Sequence, residues 1–144
     1  MDTCGQEKYR ALTKSYLKNT QVVLFVFSME DKDTFDGINE WIKIFKENHC
    51  KEEKVPKYLV GNKNDLENKI DQSLIDKFAE ENKIPFISTS AKNNNNIDKL
   101  FEEVGKKLYI DYFKNGDKGQ TNIKIDFTKK KKSINAVFLN LTYN

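Results

Sequence analysis

The sequence predicts an α/β domain in which parallel strands are flanked by helices on both faces. Short apolar runs alternate along the chain with longer segments whose apolar residues recur at helical spacing. The run Gln21–Phe27 is almost continuously apolar, β-branched or aromatic, which is typical of a strand buried on both faces. Strands that alternate with helices indicate βαβ units, and therefore a parallel sheet.

Each element is identified by its own pattern of apolar residues and breakers. The expected order is helix Glu7–Asn19, strand Gln21–Phe27, helix Thr34–Asn48, strand Pro56–Val60, helix Asp71–Asn82, strand Pro85–Ser88 and a last helix from Ile97. We expect Asp33 or Thr34 to cap the second helix.

Apolar stripes identify the inner faces of the last two helices. The residues expected to be buried are Leu74, Ile75, Phe78 and Ala79 on the third helix, and Ile97, Leu100, Phe101, Val104 and Leu108 on the fourth. The run Asn93–Asn96 before the fourth helix is of low complexity, although Asn95 or Asn96 can serve as its N-cap.

Size and composition exclude several classes of protein. A chain of 144 residues is long enough for one domain and too short for two. The net charge of +3 is small, and aromatic residues do not alternate with basic ones, so we expect no nucleic-acid binding. Cys4, His49 and Cys50 have no metal-ligand spacing. Because the chain has neither a signal peptide nor a membrane-spanning apolar run, we expect it to be cytoplasmic.

Ligands of parallel sheets lie at the carboxyl ends of the strands, and the loop after Val60 carries the motif N-K-x-D there. Guanine presents two adjacent N–H donors that one ionised carboxylate accepts together, so Asp65 is the candidate base reader. Asn62 would orient the loop, and the stem of Lys63 would pack on the ring. A solvated turn is the alternative, because Lys, Asn and Asp are abundant in this chain.

Two further motifs accompany N-K-x-D. After the next strand, Ser90-Ala91-Lys92 could direct the Ala91 N–H at the guanine carbonyl and cover the ring with Lys92, or could be an ordinary strand-to-helix turn. The chain begins with D-x-x-G-Q-E, in which Asp2 would hold Mg²⁺ through water and Gly5 would contact the terminal phosphate. Gln6 would orient the attacking water, and a capped helix start is the alternative interpretation.

Together these motifs resemble a small GTPase of the Ras superfamily, and the Rab branch in particular, from Asp2 to about Phe113. The resemblance is carried by DTCGQEKYRALT, FVFSMEDKDTFDGINEWI, LVGNKNDL and ISTSAK. It implies a switch of vesicle traffic that binds GTP or GDP with Mg²⁺, hydrolyses GTP with Gln6, and meets effectors or regulators through Lys8–Leu17. The nucleotide-contacting residues that it implies are Asp2, Gly5, Gln6, Asn62, Lys63, Asp65, Leu66, Ser90, Ala91 and Lys92.

The motif GxxxxGK[ST], which cradles the phosphates in this family, is absent from the sequence. The family places it ahead of the position of Asp2, together with the first strands and the first helix. We therefore expect an incomplete, N-terminally truncated small-GTPase fold in which phosphate binding, Mg²⁺ binding and hydrolysis are lost. We also expect Val22–Phe27 to remain as an exposed apolar edge, because the strand that would flank it is missing.

The resemblance ends before the C-terminal part of the chain. We expect residues 1–113 to be the C-terminal portion of a small GTPase domain, and residues 114–144 to be a flexible Lys-rich tail. Lys129–Lys132 predicts weak contact with a membrane surface, at about 1 kcal/mol per lysine, or is a solvated charge cluster. No cysteine follows it for prenylation, so any association with the cytosolic face of endomembranes would be weak.

Four interpretations remain open from the sequence. The chain could be a GTP-hydrolysing switch, or a module that keeps the guanine-reading loops without holding phosphates. It could also be a non-hydrolysing interaction fragment that engages partners through Lys8–Leu17 without nucleotide, or a truncated gene product.

Overall fold

A parallel β-sheet forms the centre of the computed structural model, which describes residues 2–3, 17, 20–49, 54–115 and 136–140. The strands are β1 (Asp2–Thr3), β2 (Val22–Ser28), β3 (Lys57–Asn62), β4 (Phe86–Ser88) and β5 (Ala136–Asn140). The helices are α1 (Lys32–Asp36), α2 (Ile38–Asn48), α3 (Gln72–Asn82) and α4 (Ile97–Asn115). The strand order is β1-β5-β2-β3-β4, and every paired strand is parallel to its neighbour, as predicted.

Successive residues of β2 pack on opposite faces of the sheet. Phe25 and Phe27 belong to a core cluster that also contains residues of α1, α2 and α3. Val22 and Leu24 belong to a second cluster on the other face, together with Leu100 and Val104 of α4. Helices therefore cover both faces, and the predicted α/β class is confirmed.

The edge of β2 is paired, contrary to the exposed apolar edge expected from the sequence. Strand β5 lies between β1 and β2, with Val22 opposite Ala136 and Val26 opposite Asn140. Its other side pairs with β1, where Asp2 lies opposite Phe138. A C-terminal segment thus occupies the place beside β2 that was expected to be empty.

This strand also differs from the expectation of a flexible tail over residues 114–144. Within that range, α4 continues to Asn115 and Ala136–Asn140 forms β5. Residues 116–135 and 141–144, which include Lys129–Lys132, lie outside the described residues.

The second predicted helix is two helices, α1 and α2, which meet at Gly37. Its N-cap is Asp31, whose side chain accepts a hydrogen bond from the Asp33 N–H at 3.1 Å. The prediction of Asp33 or Thr34 was wrong because Thr34 is buried, where its hydroxyl accepts a hydrogen bond from the Ser28 N–H at 2.9 Å. Thr34 therefore fastens α1 to the end of β2.

Helices α3 and α4 occur close to their predicted positions, with narrower buried faces than predicted. Ile75, Leu100 and Val104 are buried, whereas Leu74 is 46% exposed and Phe101 is 49% exposed. Their assignment to the buried faces was wrong because the apolar stripes are broader than the surface that the sheet covers. Of the predicted helix Glu7–Asn19, the described residue is Leu17, which is fully buried in the core.

No helix among the described residues is both long and apolar enough to span a membrane.

Replacing Phe138 by proline tests the contribution of β5. Proline cannot donate a backbone hydrogen bond within a strand that is paired on both sides, so we expect F138P to lower the free energy of unfolding by about 1–3 kcal/mol. Urea unfolding measures the loss, and sedimentation measures self-association through the opened β2 edge. F138I, which keeps the backbone N–H, is the matched control, and equal urea midpoints for the two variants would contradict the pairing.

Gly61 provides a second test, because it allows close packing at the end of β3. A Cβ at this position would overlap Met29 Sδ and lie 3.0 Å from Phe86 and 3.1 Å from Phe27. We expect G61A to lower the free energy of unfolding by about 1–3 kcal/mol, as overpacked cores do. G105A, within α4, is the control that should not destabilise the protein, since alanine is the better helix former.

Candidate guanine-recognition site

Three loops meet at the carboxyl edge of the sheet, where β2, β3 and β4 end. The Thr89 N–H donates to the Gly61 carbonyl at 2.8 Å, and the Asn64 N–H donates to the Thr89 carbonyl at 3.0 Å. On the other side, the Met29 N–H donates to the Asn62 carbonyl at 2.9 Å. Backbone hydrogen bonds therefore hold the N-K-x-D loop between its two neighbours.

The carboxylate of Asp65 is held by the loop after β4. The Ser90 hydroxyl donates to Asp65 Oδ1 at 2.5 Å, and Lys92 Nζ lies 3.8 Å from Asp65 Oδ2. The Asp65 side chain is only 8% exposed, whereas that of Lys92 is 77% exposed. The Ser90 hydrogen bond, aided by the Lys92 charge, lowers the pKa of the Asp65 carboxyl and favours its ionised form. Asp65 can therefore accept hydrogen bonds at neutral pH.

Asn62 connects the same two loops through its side-chain oxygen. Asn62 Oδ1 accepts hydrogen bonds from the Ala91 N–H at 3.1 Å and from the Thr89 hydroxyl at 3.4 Å. Asn62 thus links the loop after β3 to the loop after β4. The Ala91 N–H, expected to face a guanine carbonyl, is directed at Asn62 in this structure.

Lys63 and Leu66 complete the N-K-x-D loop. Lys63 has a positive φ of 62°, and its Nζ lies 2.7 Å from Glu30 Oε1, on the turn after β2. The Leu66 N–H donates to the Lys63 carbonyl at 3.0 Å, while the Leu66 side chain is exposed. Glu30 was missed from the sequence because it lies in none of the three nucleotide motifs.

The asparagine run supports Ser90. Ser90 and Asn95 exchange backbone hydrogen bonds of 3.1 and 3.0 Å, and the Asn93 N–H donates to Ser90 Oγ at 3.1 Å. Asn94 and Asn96 both have φ of 56°, a conformation that asparagine adopts more readily than most residues. Asn96 Nδ2 also donates to the Ser88 carbonyl at 2.8 Å. The run therefore shapes the turn that presents Ser90 to Asp65, whereas the predicted cap by Asn95 or Asn96 stays a prediction.

Most of the phosphate-side residues lie outside the part of the chain that the structure describes. Asp2 is described by its backbone in β1, and Gly5, Gln6 and the segment Lys8–Leu17, apart from Leu17, lie outside the described residues. Among side chains that the structure describes, no cluster of His, Cys, Asp or Glu could hold a metal ion.

Residues 1–110 match the Ras family. This chain belongs to the Ras family. Its N-K-x-D and S-A-K residues lie within the matched segment. Their individual roles in binding stay predictions.

Curated relatives from the Rab branch of the Ras family confirm the resemblance found in the sequence. The chain is 37% identical over 116 residues to the Ras-related protein Rab-11B of Dictyostelium discoideum, covering 79% of this chain and 52% of the relative. It is 38% identical over 109 residues to Rab-1D of the same organism, covering 74% and 52%. It is 32% identical to the GTP-binding protein ypt1 of Schizosaccharomyces pombe, covering 74% and 53%. The chain thus spans about half the length of these relatives.

Removing the Ser90 hydroxyl tests what holds Asp65. We expect S90A to raise the pKa of the Asp65 carboxyl toward that of a free aspartate, because the ionised form loses its main hydrogen-bond donor. In the unmodified protein, protonation of Asp65 therefore comes at a lower pH than in S90A. Carbon-13 NMR of the carboxyl groups measures the titration, with Asp71 as internal reference, since its lowered pKa depends on Ser73. An unchanged Asp65 titration in S90A would contradict the assignment.

Proposed function

We propose that this Ras-family chain recognises guanine nucleotides and reads the base with Asp65. The observation that carries the proposal is the nearly covered Asp65 carboxyl group at the carboxyl edge of the sheet, where the Ser90 hydroxyl donates to it. This hydrogen bond lowers the pKa of the Asp65 carboxyl. Ser90 is a donor to Oδ1, and each carboxylate oxygen can accept more than one hydrogen bond. The two N–H donors of the guanine edge would supply the remaining hydrogen bonds that the Asp65 carboxylate can accept.

Selectivity would follow from the charge of this group. An ionised carboxylate favours a base that presents two N–H donors, and it is repelled by the acceptor that adenine presents at the same edge. Mismatched polar groups in a covered site are left without partners, so they discriminate strongly between ligands. The Asn62–Ala91 contact would keep the two loops at the spacing that the base requires.

The phosphate side of the proposal rests on family resemblance. When bound, Mg²⁺ would neutralise phosphate charge, with Asp2 as its water-mediated holder, and Gly5 and Gln6 beside the terminal phosphate. The sequence contains no GxxxxGK[ST] to supply the remaining phosphate contacts. We therefore propose that these residues alone bind guanine nucleotides weakly and without measurable GTP hydrolysis.

The cellular role is proposed from the Rab relatives. We propose a switch of vesicle traffic whose partners read Lys8–Leu17, and whose Lys129–Lys132 run contacts anionic membrane surfaces on the cytosolic side. The similarity to Rab-11B and Rab-1D supports this role. Binding of partners without any dependence on nucleotide would instead favour an interaction fragment.

Comparing GDP with inosine diphosphate tests the proposed base reader. Hypoxanthine lacks the 2-amino group, so we expect the unmodified protein to prefer GDP by about 10- to 100-fold, the effect of one hydrogen bond to a charged group. D65N should lower the affinity for GDP and bring the preference close to one, because the amide NH₂ that replaces one carboxylate oxygen is a donor and cannot accept from an N–H of the base. Competition against a fluorescent GDP analogue measures both affinities.

The control for this experiment is D76N, which changes a carboxylate of α3 that accepts from Gln72 at 2.8 Å, away from the site. D76N should keep the GDP preference of the unmodified protein. A D65N protein with the same preference would refute Asp65 as the base reader.

A further inference from the structure

The ammonium group of Lys63 is anchored outside its own loop. Lys63 Nζ lies 2.7 Å from Glu30 Oε1, and their side chains are 40% and 32% exposed. Within α1, α3 and α4, each ion pair joins two residues that are four positions apart on the same helix. The Glu30–Lys63 pair instead joins the turn after β2 to the candidate base-reading loop.

The backbone of the Glu30 turn is itself fastened to that loop. The Met29 N–H donates to the Asn62 carbonyl at 2.9 Å, and the Met29 carbonyl accepts from the Lys69 N–H at 3.0 Å. Met29 also packs over Gly61, where a side chain would leave no room for it. The backbone next to Glu30 is therefore held close to the loop that contains Lys63.

The backbone of Lys63 is equally constrained. Its φ of 62° lies in the left-handed region, which non-glycine residues adopt where surrounding structure holds them. The next residue, Asn64, donates its N–H to the Thr89 carbonyl at 3.0 Å, and its side-chain amide donates to Ser88 Oγ at 2.9 Å. Lys63 is thus held at its backbone by the β4 side and at its ammonium by the β2 side.

We propose that Glu30 is a positioning residue for guanine binding, which acts through Lys63. This inference rests on the proposed function. With both ends held, the four methylene groups of Lys63 are presented in one arrangement, as a flat apolar surface for one face of the base. Restricting a flexible side chain before the ligand arrives reduces the entropy lost on binding. Glu30 itself does not touch the base.

Glu30 and Asp65 are expected to make separate contributions to nucleotide binding. The lysine stem contacts the face of the ring, which guanine and hypoxanthine share, whereas Asp65 reads the edge, where they differ. Loss of Glu30 should therefore weaken both ligands by the same factor and leave the preference for GDP unchanged. Glu30 should also have no effect on binding once the Lys63 ammonium is absent.

A double-mutant cycle on the full chain tests this role. The variants are E30Q, K63M and E30Q/K63M, and the ligands are GDP and inosine diphosphate. Methionine keeps an apolar stem without the charge. We expect E30Q to weaken both ligands by about two- to five-fold, the effect of one partly exposed ion pair. In the K63M background, the same E30Q change should have no further effect.

The control is D36N, which removes the partner of Lys32 from a pair of similar length, 2.9 Å, on α1. D36N should leave both affinities unchanged. Urea midpoints of all variants report folding, and E30D, which keeps the charge on a shorter side chain, should recover part of the E30Q loss.

Two results would overturn the proposal in different ways. Glu30 has no positioning role if the unmodified protein and E30Q bind GDP equally well. It also has none if E30Q lowers the affinity for GDP by the same factor in the K63M background as in the unmodified protein. If the unmodified protein does not bind GDP, the proposed function fails, and this role of Glu30 fails with it.

Discussion

The hydrogen bond from Ser90 to Asp65 joins the two halves of the candidate site. Asp65 follows β3 and Ser90 follows β4, so neither loop alone contains both the carboxylate and the group that keeps it ionised. The bond is possible because β3 and β4 are parallel and adjacent, with Gly61 opposite Ser88. The chemistry of the carboxylate therefore depends on the register of the sheet.

That register depends in turn on close packing at the ends of the strands. Gly61 leaves room for Met29, Phe27 and Phe86, so the three loops converge on one point. Asn62 then bridges to Ala91, and the asparagine run closes the turn around Ser90. The apolar packing around Gly61 and the polar contacts between the loops both hold the loops in this arrangement, which is typical of a site built on a rigid scaffold.

The sequence predicted the strands and helices whose patterns are contained within short segments of the chain. The apolar run of β2 and the helical periodicity of α3 can each be recognised within a few residues. The motifs N-K-x-D and S-A-K each follow a strand, so their position at the carboxyl edge of the sheet could be inferred. The pairing of β5 could not, because a strand's partner depends on tertiary context more than on its own residues. The Glu30–Lys63 pair was missed for the same reason, since its members lie 33 positions apart. The asparagine run was interpreted from composition, which does not reveal the left-handed conformations of Asn94 and Asn96.

The pairing of β5 between β1 and β2 has a consequence for how the chain acquires its structure during synthesis. Strands β2, β3 and β4 leave the ribosome in order, so β3 can pair with β2 and β4 with β3 as each emerges. Strand β1 must wait for β5, so the sheet closes only after Ala136–Asn140 has been translated. Contacts between such distant residues form slowly because a long loop must close first. Until then the apolar border of β2 is open to other nascent chains, and chaperones would be needed most at that stage.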